Sequence, residues 1–169
     1  MVTIEHKLEL VRQFQNRFPE LHVGGSIGLF LHGVDLKRSL DKSDIDLTSP
    51  IPLSFSEPLD IENAEESSNP EDFEYAFMVY PLGYEKPYTK VDISLQPGKE
   101  FDVIIHESNS YKVSKLQDIY FWKSKYAAKG IEKHIDDFIA IVTGVRPERK
   151  KDEQPAVTVS EDSIDDLPF

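Results

Sequence analysis

The chain contains no cysteine among its 169 residues. Disulfide bonds and thiolate metal sites are therefore excluded. The chain also has no apolar run near the roughly 18 residues of a membrane span, and its first residues lack the apolar core of a signal peptide. We therefore expect a cytoplasmic protein with no membrane partner.

Basic residues are missing from two segments of the chain. Residues 57–74 contain eight acidic residues and no Lys or Arg, and residues 152–169 contain six acidic residues and no Lys or Arg. Taking these 14 negative charges away from the formal net charge of -12 leaves +2 for the rest of the chain. Because the acidity belongs to two segments, nucleic acid stays open as a partner.

The composition predicts one folded domain followed by a tail. Hydrophobic residues make up 39% of the chain and aromatic residues 11%, which is typical of a globular protein, and the length is sufficient for one core. We assign residues 1–146 to the domain, with an acidic loop at residues 57–74. Residues 147–169 are rich in acids and poor in large apolar side chains, so we expect a disordered tail.

The pattern of apolar residues predicts both helices and strands. Apolar residues three or four apart predict four helices, at residues 4–18, 27–32, 115–129 and 131–143. Runs of β-branched and aromatic residues predict strands at residues 21–23, 45–48, 74–80, 88–95 and 101–105. Ser114 and Gln117 resemble a capping box ahead of the third helix. The order predicts an α+β fold with a mixed sheet, a long loop after Thr48 and two helices after the last strand.

Two acidic residues stand one residue apart in a predicted strand. Asp44 and Asp46 would point to the same face of that strand. Carboxylate oxygens suit Mg²⁺, and a two-metal site needs carboxylates that bridge ions roughly 3.5 to 4 Å apart. A third carboxylate from a neighbouring strand would complete the site, with Asp92 as the best candidate and Asp102 as its competitor. Taken alone, the pair favours the simpler interpretation of a solvated strand edge or an Asx turn.

A turn of small residues precedes this acidic pair. Gly24 and Gly25 allow backbone amides to approach a ligand closely, and Ser26 adds a hydroxyl at the start of a helix. The simpler interpretation is an ordinary Gly-Gly turn in which Ser26 caps the helix. Taken alone, the turn favours this simpler interpretation.

Taken together, these motifs resemble the nucleotidyltransferase superfamily typified by DNA polymerase β. The pattern of that family is a Gly-Ser turn, a helix ending near a Gly, an Asp-x-Asp pair and a later Asp on an adjacent strand. The matching positions are Gly25-Ser26, Gly33, Asp44-Ile45-Asp46 and Asp92. Lys123 and the group from Lys133-His134 to Asp137 stand where small members of the family carry similar residues in their last two helices. The resemblance covers about residues 20–140.

The resemblance implies a nucleotidyltransferase-like fold and an activity. Such enzymes move a nucleoside monophosphate from a nucleoside triphosphate to a hydroxyl, and pyrophosphate leaves. Asp44, Asp46 and Asp92 would bind two Mg²⁺ ions, with Mn²⁺ as an alternative, and Asp92 would bind the catalytic ion and serve as base. The acceptor stays open among RNA, protein and small molecules.

The resemblance also implies where the nucleotide binds. The expected nucleotide-binding residues are Gly24, Gly25, Ser26, Arg38 and Lys123, with the Gly-Ser turn holding the β- and γ-phosphates. Lys37 and Arg38 precede the acidic pair, where a solvated basic turn is an equal alternative to phosphate contact. Lys123 interrupts the apolar face of its helix, so it either contacts phosphate or extends to water. His134 lies on an apolar face and is expected to be a core residue rather than a ligand.

The last residues of the chain resemble the C-terminal peptide of bacterial single-stranded DNA-binding protein. The similar residues are Asp165, Asp166, Leu167, Pro168 and Phe169. In that family the terminal Phe enters an apolar pocket, while its carboxylate and the acids meet basic residues of DNA-maintenance proteins. The resemblance implies a docking peptide, and the alternative is a solubilising tail.

Two other functions fit the same motifs. A non-catalytic adaptor could use this fold to present the tail to partners of the single-stranded DNA-binding protein. The chain could also be the toxin or antitoxin half of a two-gene module, because small nucleotidyltransferases occur there.

Overall fold

The computed structural model describes residues 2–53, 64–66, 75–79 and 89–149, and for residues 64–66 and 75–79 it describes the backbone alone. These ranges contain four helices and seven strands. In chain order they are α1 Ile4–Arg17, β1 His22–Val23, α2 Gly25–Leu31, β2 Ile45–Ser49, β3 Ala64–Glu66, β4 Tyr75–Val79, β5 Thr89–Leu95, β6 Phe101–His106, β7 Asn109–Ser114, α3 Leu116–Ala128 and α4 Glu132–Thr143. Within these ranges no helix is both long enough and apolar enough to cross a membrane.

The seven strands form one mixed sheet. Their order across the sheet is β3-β4-β5-β2-β1-β7-β6. The pairs β2–β5 and β1–β7 are parallel, and the other neighbouring strands are antiparallel. This confirms the α+β fold with a mixed sheet and the antiparallel pairing of the strands predicted at residues 74–80 and 88–95.

Helices α1 and α2 supply much of the apolar core. Leu8, Val11 and Phe14 lie on the buried face of α1, as their spacing predicts, and the Thr3 hydroxyl caps the helix by accepting from the backbone N–H of His6. Helix α2 contacts β2, β7 and α3, and α3 contacts α4. Helix α2 therefore lies between the sheet and the two helices that follow the last strand.

The start of α3 differs from the prediction. Lys115 is the N-cap and makes no side-chain capping hydrogen bond. Ser114 lies at the end of β7, and its Oγ is 2.9 Å from Nδ1 of His22. The predicted capping box of Ser114 and Gln117 is therefore wrong, because a buried partner in β1 takes the Ser114 hydroxyl.

Two strands were not predicted. Strand β7 forms a hairpin with β6 through Glu107 and Ser108, whose φ angles are 45° and 68°. Such angles usually require Gly or Asn, so the sequence carries no clear turn signal at this point. Strand β3 lies within residues 57–74, which the sequence analysis assigned to a loop, and it pairs with β4.

The chain stays attached to α4 beyond the predicted domain boundary. The guanidinium of Arg149 donates to both carboxylate oxygens of Asp136, at 2.8 and 2.9 Å, and also to Glu132. Arg149, which the predicted boundary places in the tail, therefore contacts the domain. Residues 150–169, including the predicted docking residues Asp165 to Phe169, lie outside the described residues.

Candidate functional site

Two acidic residues lie side by side at the centre of the sheet. Asp46 in β2 pairs in parallel register with Asp92 in β5, so the two side chains share one face of the sheet. The exposed fraction is 8% for Asp46 and 1% for Asp92. Asp44 lies two residues before Asp46, just ahead of β2. The structure thus brings Asp92 next to Asp46, as the sequence predicted.

The surroundings of Asp46 oppose its negative charge. Burial raises the pKa of Asp46 well above its usual range, and the neighbouring charges of Asp92 and Asp44 raise it further. Its Oδ1 atom is buried and has no hydrogen-bond partner among the described residues. A cation beside Asp46 would relieve both the repulsion and the missing contact, so this carboxylate fits a divalent ion.

Gly25 makes room for the Asp46 carboxylate. Its φ angle is +58°, and a Cβ atom built on it would collide with the side chain of Asp46. The glycine is therefore required both for its backbone conformation and for the close approach of the carboxylate. This contact joins the predicted Gly-Ser turn to the predicted acidic pair.

Asp44 and Asp102 are the two predicted carboxylates outside the in-register pair. Among the residues with described side chains, no group of three or more His, Asp or Glu residues is arranged to hold a metal ion. Asp102 is excluded from the pair, because it lies on β6, separated from β2 by β1 and β7, and pairs with Lys115. Of the three carboxylates in the predicted metal site, those of Asp46 and Asp92 come from residues that are directly paired between β2 and β5. The role of Asp44 stays a prediction.

A basic side chain lies near one member of the pair. Nζ of Lys90 is 3.5 Å from Oδ1 of Asp92, and the Lys90 side chain is largely buried. Lys90 therefore offsets part of the negative charge of Asp92.

A second buried carboxylate, Asp137 in α4, collects three basic side chains. Its oxygens lie 2.9 Å from Arg38, 2.6 Å from Lys123 and 2.6 Å from Arg146. Burial alone would raise the pKa of Asp137, but the hydrogen bond from Arg38 and the charge of Lys123 outweigh it and hold the pKa well below its usual range. We call Arg38, Lys123, Arg146 and Asp137 the basic cluster. It carries three positive charges and one negative charge.

Arg38 joins the basic cluster to the Gly-Ser turn. Its Nη2 atom donates to Oγ of Ser26 at 2.8 Å, and its Nη1 atom donates to Oγ of Ser43 at 2.9 Å. Ser26 is therefore not the helix cap of the simpler interpretation, and Gly24 holds the N-cap position without a side-chain hydrogen bond. Arg38 is also not part of a solvated turn, whereas the exposed Lys37 pairs with Asp35 as that alternative expects.

Lys123 does not extend to water. Its side chain is fully buried and ends on Asp137, so the snorkelling alternative is wrong. Burial lowers the pKa of Lys123 to about 8, and Asp137 opposes this decrease. His134 is buried beside it, with its ring stacked on Tyr126 at 5.5 Å, which agrees with the expected core role.

Lys7 in α1 is a buried charge that the sequence analysis did not select. It is 1% exposed, and its Nζ donates to the backbone oxygen of Ser43, next to Asp44. Burial lowers the pKa of Lys7 to about 8, while the charge of Asp44 raises it. Its position, four residues before Val11 on the apolar face of α1, was the available signal. We infer that Lys7 fixes the segment that carries Asp44.

The structure brings the predicted residues Gly24, Gly25, Ser26, Asp44 and Asp46 to one region of the molecule. Asp92 joins them through strand register, and Arg38 and Lys123 join through the basic cluster. Comparison of the chain with protein-family models, curated proteins and solved structures finds no match. The resemblance to nucleotidyltransferases therefore stays a prediction that rests on these residues.

Proposed function

We propose that the chain is a metal-dependent nucleotidyltransferase that moves a nucleoside monophosphate from a nucleoside triphosphate to a hydroxyl acceptor. The observation that carries this proposal is the buried, in-register pair of Asp46 and Asp92. A structural role does not account for two adjacent buried acids, because burying them raises the free energy of the folded state. Sites that bind metal and phosphate accept such a cost.

The donor set fits Mg²⁺, with Mn²⁺ as an alternative. Asp46 offers a buried oxygen without a hydrogen bond among the described residues, and Gly25 lets that carboxylate lie close against the Gly-Ser turn. When bound, two such ions would supply charge neutralisation for the triphosphate and the developing charge of the reaction. Asp46 and Asp92 would hold the ions, and Asp44 is the proposed third ligand.

The basic cluster lies at the end of the site where phosphates are expected. Its three cations exceed its one carboxylate by two charges, so it retains positive charge for a polyphosphate. Arg38 is its member closest to the Gly-Ser turn, because it contacts Ser26 directly. We assign Arg38 to the β- and γ-phosphates together with Gly24, Gly25 and Ser26, and Lys123 to the support of this arrangement.

The proposed reaction is an in-line displacement at the α-phosphorus. The acceptor oxygen forms a new bond to phosphorus while the bond from phosphorus to the bridging oxygen breaks, and pyrophosphate leaves with the electron pair. Asp92 receives the proton of the acceptor hydroxyl. The positive charge of Arg38 favours the leaving pyrophosphate.

The proposal predicts that activity depends on the acidic pair and not on acidity in general. The protein is incubated with Mg²⁺ and each labelled nucleoside triphosphate, using RNA, protein and the chain itself as acceptors. Asp46→Asn and Asp92→Asn should each lower label transfer at least about 100-fold, because each removes a metal ligand. Asp102→Asn is the matched control, since it removes the same charge from β6.

Two outcomes separate the proposed enzyme from the alternatives. Equal transfer by the wild type, Asp46→Asn and Asp92→Asn contradicts the assignment of the acidic pair. Absence of transfer together with intact binding of a DNA-maintenance protein favours the non-catalytic adaptor.

We also propose that the residues Asp165 to Phe169 recruit the protein to DNA-maintenance proteins. This part rests on the sequence, in which a short acidic segment precedes a single aromatic anchor. Phe169→Ala should weaken binding to a protein that recognises the tail of single-stranded DNA-binding protein by at least about tenfold, measured by fluorescence anisotropy. Ile164→Ala is the control, and equal binding by both variants contradicts the docking role.

A further inference from the structure

A second row of polar side chains crosses the sheet next to the acidic pair. Thr48 in β2 pairs with Ser94 in β5, and His22 in β1 pairs with Thr48. Thr48 and Ser94 lie two residues beyond Asp46 and Asp92, so they share the same face of the sheet at a distance of about 7 Å along the strands. We call His22, Thr48 and Ser94 the polar row.

A pocket lies over the polar row and reaches the acidic pair. It is lined by the three members of the row and by both Asp46 and Asp92, and α3 contributes Trp122 to its wall. The enclosed part of the pocket is small, about 30 Å³, and the rest of its space is open to solvent. The pocket therefore connects the proposed reaction centre to a second set of side chains.

His22 is the member of the row that points most clearly to a ligand. It is 1% exposed, and its Nε2 atom is buried without a hydrogen-bond partner among the described residues. The other ring nitrogen, Nδ1, is fixed by Oγ of Ser114 at 2.9 Å. A buried ring nitrogen that is oriented but unused costs free energy unless something binds to it.

The charges around the pocket favour a neutral ligand at this end. Burial lowers the pKa of His22 to about 4, so the ring is uncharged at pH 7. The charged residues Lys99 and Asp118 in the pocket wall pair with each other at 3.0 Å. The basic cluster, by contrast, contacts Ser43 ahead of β2, at the opposite side of the acidic pair.

The chemistry of the row resembles that of sugar recognition. A sugar ring presents neutral hydroxyls that both donate and accept, and it presents C–H groups that pack against an aromatic ring. Thr48 and Ser94 offer hydroxyls, His22 offers a ring nitrogen, and Trp122 offers an aromatic wall held toward Gln96 by a 3.4 Å contact.

We propose that the polar row binds hydroxyl groups of a sugar ring, with His22 as a positioning residue. This inference rests on the proposed function, because it places the sugar next to the carboxylates at which phosphate transfer would occur. The sugar has two sources, either the ribose of the nucleoside triphosphate or a sugar that belongs to the acceptor. Both present the same chemistry to the row.

Two substitutions of His22 separate its two ring nitrogens. In His22→Asn the amide takes the place of Nδ1 and keeps the contact with Ser114, but nothing replaces Nε2. In His22→Gln the longer side chain places an amide near the position of Nε2. Thr48→Val is a further variant that removes a hydroxyl and retains a β-branched side chain in the strand. The melting temperature of each variant is measured to confirm that it folds.

Binding is measured by calorimetry in Mg²⁺ with three probes, namely tripolyphosphate, the four ribonucleoside triphosphates and their 2′,3′-dideoxy forms. If the row holds the ribose, the wild type should prefer the ribonucleotide over the dideoxy form by about fivefold or more, the usual value of one buried hydrogen bond. His22→Asn and Thr48→Val should reduce this preference, whereas His22→Gln should retain most of it. Tripolyphosphate binding should not change in any of the three variants.

The second source is tested with methyl riboside in the presence of Mg²⁺ and tripolyphosphate. Binding of the riboside by the wild type, weakened at least about tenfold in His22→Asn, supports a sugar of the acceptor. Suppose that tripolyphosphate binds, but the wild type shows no preference for the ribonucleotide over its dideoxy form and does not bind the riboside. The inference about the polar row is then overturned, whereas the proposed function is not. If the wild type binds no tripolyphosphate in Mg²⁺, or if Asp46→Asn binds it equally well, the proposed function fails, and the inference that rests on it fails too.

Discussion

At the residue scale, Asp46 combines features that oppose stability. It is buried, faces Asp92 in the next strand, and has an oxygen without a hydrogen bond among the described residues. Hydrophobic or neutral residues at this point would give a more stable sheet. The presence of Asp46 at this point therefore indicates that the protein loses some stability in exchange for a binding site, which is common where a protein binds charged ligands.

The raised pKa of Asp46 has a definite sign in its effect on stability. Because the folded-state pKa lies above the value of 3.8 for a free Asp, the contribution of Asp46 is intact below that pH and is lost as the pH rises through the folded-state pKa. Asp46→Asn should therefore raise the free energy of unfolding at pH 8 by about 1 kcal/mol relative to the wild type. The advantage should shrink as the pH falls toward 5.

Urea denaturation at several pH values measures this difference. Asp102→Asn serves as control, because it removes an acid whose side chain is 39% exposed. A variant Asp46→Asn that is less stable than the wild type at pH 8 would show that the carboxylate is stabilised by its neighbours, contrary to the prediction.

At the element scale, the hairpin of β6 and β7 has two different faces. On β6 the alternate residues Phe101, Val103 and Ile105 are exposed, whereas Val113 on β7 is fully buried. The edge strand thus carries an apolar outer face, and β7 carries its apolar side chains into the core. The two valines Val103 and Val113 offer a matched comparison.

Truncation of these two valines should have unequal effects. Val113→Ala should lower the free energy of unfolding by about 2 kcal/mol, because it removes buried methyl groups from the core. Val103→Ala should lower it by less than about 0.5 kcal/mol, because the side chain is 64% exposed. Chemical denaturation of both variants checks this. A similar loss in both would show that the outer face of β6 is covered in solution.

The elements also show how far the sequence could predict the structure. Helices α1 and α4 and strands β2 and β5 were predicted closely, because their apolar residues follow a regular period. Strand β7 was missed, because Glu107 and Ser108 form a tight turn without the usual turn residues. The predicted cap at Ser114 failed, because a local pattern cannot reveal a contact with His22, 92 positions away.

The candidate site was predictable to a similar extent. Asp92 was the best candidate for a third carboxylate because it stands in a strand-like run, with Asp102 as its competitor. The register places Asp92 beside Asp46. The contact of Arg38 with Asp137 spans 99 positions and leaves no periodic signal. Lys7 and His22 were missed for a related reason, since burial of a polar side chain depends on distant elements.

At the scale of the whole molecule, Asp137 connects parts of the chain that are far apart in sequence. It binds Arg38 from the segment before β2, Lys123 from α3 and Arg146 from beyond α4. One carboxylate therefore holds three segments together and also aligns the side chain that contacts Ser26. The fold and the candidate phosphate site depend on the same ion pairs.

Removal of this carboxylate should therefore destabilise the whole protein. Asp137→Ala leaves three basic side chains near one another without their counter-charge, so the free energy of unfolding should fall by about 3 to 5 kcal/mol at pH 7. Because its folded-state pKa lies below the value of 3.8 for a free Asp, the contribution of Asp137 is present above that pH and is lost as the pH falls below it.

Urea denaturation at pH 7 and at lower pH tests both statements. The control is Asp35→Asn, which removes the charge of an exposed ion pair with Lys37, retains an acceptor for the backbone N–H of Lys37 and should leave stability almost unchanged. Equal stability of Asp137→Ala and the wild type would refute the connecting role of Asp137.

The parallel pairing of β2 with β5 has an evolutionary consequence. After Ser49 the chain adds β3 and β4 to the sheet before β5 begins at Thr89, yet five consecutive residue pairs fix the register of β2 and β5. Doubling the length of a flexible loop costs only roughly 0.6 kcal/mol of loop-closure entropy. Insertions in the connections between these strands can therefore add new recognition surfaces in descendants of this chain without displacing Asp46 from Asp92.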